Sequence, residues 1–359
     1  MSLESVSVEN VRCVARAELE LHERLNLLWG PNGSGKTSLL ESIFLLGRGR
    51  SFRTRTTERL IRRSESALTV FGRTLPPNPR TLGLQLVRGA ETEARISGVP
   101  VESLAQLSEA FPVQVIEPGV HKLLEEGGYR RRRWMDWAVF HVEHPFLDQW
   151  SRYSRALRQR NAALRTMVEQ ARAFDAELAR LGESIAASRR ASLERLQPFW
   201  RTQVQTLAGL EVELTYRRGW PEGASLQEAL DATWARDRLR GMTHAGPHRA
   251  DVQLRLGGAA AREVLSRGQQ KLVAMALILA QTQMLRDVFP SPPTLLLDDP
   301  GAELDRSRLG TFIGQVSALS CQIVLTALSP ELSPFGRPDR VFHVEHGAVA
   351  LRYNDVSQN

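Results

Sequence analysis

Apolar residues recur at near-alternate spacing at the start of the chain, first at Leu3, Val6, Val8 and Val11, then at Ala17, Leu19 and Leu21. The two runs predict the strands of a hairpin with one buried face. Residues 25–29, LNLLW, read as a short buried strand leading into a glycine-rich loop, and residues 37–46 as a helix with Leu39, Leu40, Ile43 and Leu46 on one face. Strand-like runs at 68–75, 82–87 and 94–96, broken by Gly and Pro, predict an appended antiparallel sheet. Near Pro118 the period becomes helical. Trp150, Tyr153, Leu157, Leu164, Met167, Ala171, Phe174, Leu178, Leu181 and Ile185 form a stripe at three- and four-residue steps, polar only at Arg160. The stripe is short, which favours packing in a bundle over a free coiled coil, with Gly182 as a weak point or turn. Around Gly241 strand-like runs return, and 294–297 is another buried strand. The pattern predicts one α/β domain, residues 1–117 and 242–359, interrupted by a helical lobe at 118–241.

Composition narrows the class. The chain has 359 residues, 42% hydrophobic and 24% charged, as in ordinary globular proteins. Its longest apolar run, 272–280, is too short to span a bilayer, and the first ten residues lack the basic start and apolar core of an export signal. Cys13 and Cys321 form no disulfide framework, so a cytoplasmic location is expected. The net charge of +7 favours a polyanionic partner. Of 47 basic residues only Lys36, Lys122 and Lys271 are lysines, a bias that GC-rich coding explains more simply than phosphate recognition.

Three motifs carry chemistry. Residues 30–37 fit G-x-x-x-x-G-K-[ST]. Gly30, Asn32, Gly33, Ser34, Gly35, Lys36, Thr37 and Ser38 are the expected ATP-binding loop, with glycines that let backbone amides close on a phosphate. Lys36 reaches the β- and γ-phosphates, and Thr37 offers a hydroxyl to Mg²⁺. The strand at 294–297 ends in Asp298, the second expected Mg²⁺ ligand, followed by Asp299, placed to orient an attacking water. Residues 302–305 continue into a loop, ending at Asp305, expected to touch a partner subunit. LSRGQQK at 265–271 offers a capping Ser266 and the positive end of a helix striped with Leu272, Met275, Ala276 and Leu279. Gly35 and Lys36 already take one side of the γ-phosphate. The spacing therefore predicts that Ser266, Arg267, Gly268 and Gln269 act on the nucleotide of a second copy, in a head-to-tail dimer with two composite sites.

With these pieces the chain resembles the RecF family of bacterial recombination mediators, within the ABC-type ATPases that include SMC heads. The resemblance runs nearly end to end, through GPNGSGKTSLLESI (30–43), RGRSFRT (48–54), YRRRRWMDW (129–137), RQRNAALR (158–165), RRGW (217–220), THAGPHRAD (243–251), LSRGQQK and LLLDDPGAELD (295–305). It implies a P-loop ABC-type ATPase head with an antiparallel β subdomain and a helical lobe. It also implies an ATP-dependent homodimer that grips double-stranded DNA near single-to-double-strand junctions in recombinational repair. Partnership with RecR and RecO and help in loading RecA at gaps follow from the same likeness. Departures from the broad ABC pattern are specific. Asp299 stands where most members have glutamate, which predicts slow hydrolysis, and the resemblance implies that DNA stimulates it. The usual switch histidine is missing from 324–327, leaving Thr326 as candidate γ-phosphate sensor. Gln114 and Glu117 both sit where a phosphate-linked glutamine is usual.

Arg48, Arg50, Arg53 and Arg55 alternate after the first helix, as on one side of an extended segment, and are candidate DNA contacts. Arg130 to Arg133 interleave with Tyr129, Trp134 and Trp137, and some of them are expected to pack or pair. HVEH occurs at His141 and His343, without further ligands at zinc spacing, so surface histidines are expected. The roles of His248 and Arg249 do not follow from the sequence. A membrane-transporter ATPase subunit explains the motifs but not the long insertion or the basic charge. A nuclease would need an acidic cluster for two metals, which does not appear.

Overall fold

The computed structural model describes residues 2–54, 56–286, 288–289, 292–302, 304–330 and 335–352. The chain forms two compact units, residues 1–120 with 277–359, and residues 121–276.

The first unit opens with β1 (Leu3–Val11), β2 (Val14–Glu20), β3 (Leu25–Trp29) and α1 (Lys36–Arg48). Next come β4 (Ala67–Thr74), β5 (Thr81–Val87), β6 (Glu93–Ile96), β7 (Val99–Pro100), α2 (Ala105–Ala110) and β8 (Val113–Ile116). Strands β1, β2 and β4–β7 make one antiparallel sheet in the order β2-β1-β4-β5-β6-β7. The alternation at Val6, Val8, Leu68, Val70, Leu82 and Leu84 turns one face of it inward, as expected for a half-buried sheet.

The second unit carries α3 (Lys122–Glu125), α4 (Gly128–Val142), α5 (Phe146–Thr166), α6 (Asp175–Ala208), β9 (Glu213–Arg217) and α7 (Leu226–Arg240). It continues through β10 (Asp251–Leu256), β11 (Ala259–Ala260), α8 (Ala261–Val264) and the first half of α9 (Arg267–Leu285). The return to the nucleotide fold, expected at 242, comes later along the chain. Strand β10 pairs antiparallel with β9 from Arg217↔Asp251 to Glu213↔Arg255, which holds 243–264 in this unit. The helical stripe is not continuous. Met167 leaves the helical region and is 56% exposed, and a 3₁₀ segment, Val168–Phe174, separates α5 from α6. Gly182, expected as a weak point, lies inside the 34-residue α6. A Cβ there would stand 2.3 Å from Leu226 Cδ2, so the glycine admits close packing by α7.

Arg160, the polar position of the stripe, is fully buried. Its Nε donates to Asp175 at 2.6 Å, and Nη1 to Asp237 at 2.7 Å and to the Thr243 hydroxyl at 2.8 Å. Two helices and the loop after α7 are thus gathered on one guanidinium.

The first unit resumes with the second half of α9, β12 (Thr294–Leu297), α10 (Arg306–Ser317), β13 (Ile323–Ala327), β14 (Arg340–Glu345) and β15 (Ala348–Arg352). Its second sheet has the order β15-β14-β3-β13-β12-β8, parallel throughout except for β15. The nearly unbroken apolar runs LNLL, TLLL and IVL suit strands buried on both faces. Helix α1 packs on both sheets, which explains why almost every residue from Lys36 to Gly47 is buried. Strands β3, β12 and β13 end side by side, with Leu297 against Leu325 and Trp29 against Ala327. Ligands of such sheets bind beyond the carboxyl ends of the strands.

Candidate nucleotide-binding site

The loop after β3 has the backbone that the glycines permit. Gly30 has φ 152°, and a Cβ there would lie 2.1 Å from the Val344 carbonyl oxygen. Gly35 has φ 117°, with Cys13 Sγ and Val14 Cγ2 3.3 and 3.2 Å from where its Cβ would be. Lys36 Nζ donates to the carbonyls of Gly30 and Pro31 at 2.6 and 2.9 Å, which curls the loop back over its side chain. Burial lowers the Lys36 ammonium below the usual lysine range, against the opposing pull of Asp299 and Asp298. Ser34 Oγ is buried in the loop without a hydrogen-bond partner among the described residues. A poorly solvated cation beside an unsatisfied hydroxyl and positive-φ glycines is the donor set that a phosphate fits.

Thr37 Oγ1 donates to both Asp298 oxygens at 3.0 and 3.1 Å, across 261 residues of chain. The pair brings together one hydroxyl and one carboxylate, the hard oxygen ligands Mg²⁺ prefers. The Asp298 amide donates to the Ile116 carbonyl at 2.9 Å, which fixes the end of β12 against β8. Thr326 is 1% exposed. Its hydroxyl donates to Asp298 Oδ1 and accepts the Asp299 amide, both at 2.9 Å. These bonds tie both acids to the end of β13. Asp299 has φ 48°, a left-handed conformation that Asp tolerates better than most residues. Gln114 is buried in β8 with Nε2 2.5 Å from Gln281 Oε1, and Glu117 follows just past the end of the strand. Asp305 caps α10 by accepting the Arg308 amide at 3.0 Å, while Glu303, in the same expected contact loop, lies outside the described residues.

In the second unit Ser266 and Gln269 form a reciprocal cap on α9. The Ser266 hydroxyl accepts the Gln269 amide at 3.3 Å, and Gln269 Oε1 accepts the Ser266 amide at 3.0 Å. Ser266, Arg267 and Gly268 are exposed. The first amides of a helix have no intrahelical acceptor, so this end is open to an anion. The Arg267 side chain is 85% exposed and 4.0 Å from Glu125, a contact of little energetic weight.

The arginine sets separate. Arg48 closes the last turn of α1 and stacks 5.4 Å over Phe44, so the first set does not lie along one extended segment. Arg50 is half-buried, Arg53 is exposed, and Arg55 lies outside the described residues. In the second set Arg130 pairs with Glu126, Arg131 forks onto Asp251 at 2.8 and 2.9 Å, Arg132 donates to the Ala250 carbonyl, and Arg133 stacks on Tyr129. The histidines expected at the surface are partly inside. His141 is buried against Trp137 and Phe140, and His343 stacks on Trp29 at 4.1 Å. Among the described residues no group of three or more His, Cys, Asp or Glu is placed to hold a metal without a ligand's help.

His248 gains a structural role. Its Nδ1 lies 2.7 Å from the Tyr153 hydroxyl and its Nε2 3.1 Å from the Thr243 carbonyl. The carbonyl can only accept, so the neutral ring carries its proton on Nε2 and takes one from Tyr153. Arg249 donates to the same carbonyl at 3.1 Å, and Arg189 to the Pro247 carbonyl at 2.7 Å. Burial first, then Arg249 and Arg132, push His248 down to about 4, opposed by the Thr243 bond and Asp237. Between the ordinary value near 6.5 and 4 the unfolded chain binds a proton that the folded chain refuses. Stability therefore falls as pH drops through that window, by up to roughly 3 kcal/mol for this group. Urea unfolding at pH 7 and pH 4.5 should show His248→Gln with a shallower pH dependence than wild type, and equal slopes would contradict the assignment.

One cluster did not show in the sequence pattern. Glu41, on the side of α1 opposite Leu39, Ile43 and Leu46, is fully buried and bound by Arg12 and Ser51. An acid set between Leu40 and Ser42 in an otherwise buried helix was the available signal.

Against known proteins, the family description RecF/RecN/SMC N terminal domain matches residues 2–349. A Pseudomonas paraeruginosa protein named DNA replication and repair protein RecF is 41% identical over 361 residues, covering 98% of each chain. The chain belongs to the RecF family. A RecF of Azotobacter vinelandii is 42% identical over 365 residues, covering 99% of this chain and all of that one. A solved structure of the recombination mediator protein RecF with ATPrS, described as part of the RecFOR pathway, aligns over 98% of both chains with a TM-score of 0.85 and 26% identity. An SMC head bound to a winged-helix domain of ScpA shares the fold, with a TM-score of 0.59 and 13% identity. The RecF family accordingly gives this chain an ABC-type ATPase head fold and a DNA replication and repair protein's ancestry.

Proposed function

We propose that this chain is an ATP-gated clamp on double-stranded DNA, acting in the cytoplasm in recombinational repair. The observation that carries the reading is the hydrogen-bonded set Thr37, Asp298, Thr326 and Asp299, which joins the phosphate loop to the acidic strand end. The loop from Gly30 to Ser38 binds ATP, as RecF relatives solved with ATP or its analogue do. Thr37 and Asp298 hold Mg²⁺, which supplies charge neutralisation at the phosphates. Asp299 orients the attacking water. Ser266, Arg267, Gly268 and Gln269 of a second copy close each site through the amides of their helix end. The closed dimer grips DNA near single-to-double-strand junctions, with Arg48, Arg50, Arg53 and Arg55 as candidate phosphate contacts. RecR and RecO are the partners through which it helps load RecA at gaps, a reading supported by the description of a solved RecF relative as a recombination mediator in the RecFOR pathway. No helix among the described residues is long and apolar enough to cross a membrane.

Hydrolysis is expected to be slow. Asp299 is one methylene shorter than glutamate, and its amide is tied back to Thr326. Steady-state turnover with saturating DNA should stay below about 1 s⁻¹, against a typical enzyme median of about 10 s⁻¹. DNA affinity on the same samples should rise with ATP, fall steeply with salt and show little sequence preference. Fast turnover, or affinity indifferent to ATP, would overturn the reading.

A further inference from the structure

Three segments distant in sequence meet at one buried carboxylate. Glu41 lies one turn past Thr37 on the same face of α1 and is fully buried. It accepts Nε and Nη2 of Arg12 at 2.6 and 2.9 Å, and it also accepts the hydroxyl of Ser51. Arg12 stands in the turn between β1 and β2 with φ 53°, and the next two residues, Cys13 and Val14, pack against Gly35 of the phosphate loop. Ser51 Oγ in turn accepts the amides of Arg53 and Thr54 at 2.9 and 3.0 Å, which folds the basic segment into a turn and leaves Arg53 exposed. Further along the chain, residues 60–62 are bonded to the same turn. The Arg12 amide donates to the Leu60 carbonyl at 2.7 Å, the Arg62 amide to Asn10 at 2.8 Å, and Arg62 Nη1 to the Cys13 carbonyl at 3.2 Å.

Stability alone asks only that a buried carboxylate be paired, and Arg12 does that with a two-pronged contact. Ser51 adds something different. Its side chain joins the acid of the phosphate-loop helix to the backbone that presents Arg53.

We infer that Ser51, held by Glu41, is a positioning residue that couples nucleotide occupancy of the phosphate loop to the grip of segment 48–54 on a polyanion. The inference rests on the clamp reading. Coupling requires two states that each ligand distinguishes. With phosphates fixing Lys36 and Thr37, the first turn of α1 is rigid, and Glu41, four residues beyond Thr37, holds Ser51 and the turn at Arg53 and Thr54 in place. With the loop empty, that restraint weakens, and the segment presents its cations in several arrangements.

The test uses the full-length chain and a fluorescent DNA duplex, with anisotropy read with and without a slowly hydrolysed ATP analogue and Mg²⁺. Wild type, Ser51→Ala and Ser51→Thr are compared. Coupling factors in proteins typically run from about 5- to 150-fold, and wild type should gain about tenfold or more in DNA affinity with nucleotide. Ser51→Thr, which keeps the hydroxyl, should retain most of that gain. Ser51→Ala should gain less than about threefold while its nucleotide affinity and its affinity for DNA alone stay within about twofold of wild type, because the coupling is a separate quantity from either affinity. A Ser51→Ala protein with the full gain overturns the inference. So does one whose nucleotide affinity falls in step with the gain, since that marks plain loss of packing. A wild type with no gain at all overturns the clamp reading instead, and the coupling with it.

Discussion

Replacing Arg160 by alanine is expected to cost about 3–5 kcal/mol of stability, the range for breaking a buried ion pair from one side. The guanidinium is fully buried, Asp237 is 0% exposed and Asp175 4%, and removal of the arginine leaves both carboxylates without their principal counter-charge. Asp237 also accepts the amide and ring nitrogen of His244 at 3.0 and 2.8 Å, so one arginine organises the end of α5, the start of α6 and the loop beyond α7. Burial already raises the Asp175 carboxyl above its ordinary value, with Arg160 pulling the other way. In the variant that restraint is gone and the folded-state value rises further above the unfolded one. Protonation then favours the folded state, so the difference from wild type should be largest at neutral pH and shrink in acid. Arg160→Lys should fall between the two, because an ammonium lacks the fork that serves two acids at once. Urea unfolding measures all three. An alanine variant within about 1 kcal/mol of wild type at pH 7 would show that the site relaxes or admits water.

The same arginine marks the limit of what sequence pattern conveys. In the stripe from Trp150 to Ile185 it read as one polar position, and nothing local distinguishes a solvated arginine from one that gathers Asp175 and Asp237. Periodicity reports which face turns inward, not which distant acid waits there. The strands β1 to β6 and the helix α1 were legible because their burial follows from neighbours two, three and four residues away. The extent of the second unit was not, because 243–264 is held there by the pairing of β10 with β9, a long-range choice. Gly182 misled for a related reason. A glycine's local meaning is a break, whereas here its missing Cβ makes room for Leu226.

The candidate site was legible in its parts and not in its wiring. Spacing named Lys36, Thr37, Asp298 and Asp299. It gave no reason to place the Thr326 hydroxyl between the two acids, or to bury Gln114 against Gln281. Small polar groups on buried strands find partners across the sheet, and which partner depends on register. His248 is similar. Its neutral ring between Tyr153 and Thr243 belongs to a core network that the motif GPHRAD conceals.

The second large effect concerns assembly. Ser266→Arg should abolish ATP-dependent dimerisation while leaving the fold intact. Ser266 is exposed, and loss of its cap costs α9 about 1 kcal/mol, which a packed helix tolerates. A long cationic side chain at that position would occupy the space into which the amides at the head of α9 must bring a partner's phosphate. Lys36→Ala should reach the same end from the other side, by weakening nucleotide binding before any dimer forms.

Sedimentation velocity of wild type, Lys36→Ala and Ser266→Arg, each with and without ATP and Mg²⁺, tests the composite site most directly. Wild type alone should shift to a dimer, and only with nucleotide. A Ser266→Arg protein that still dimerises on ATP would contradict the account.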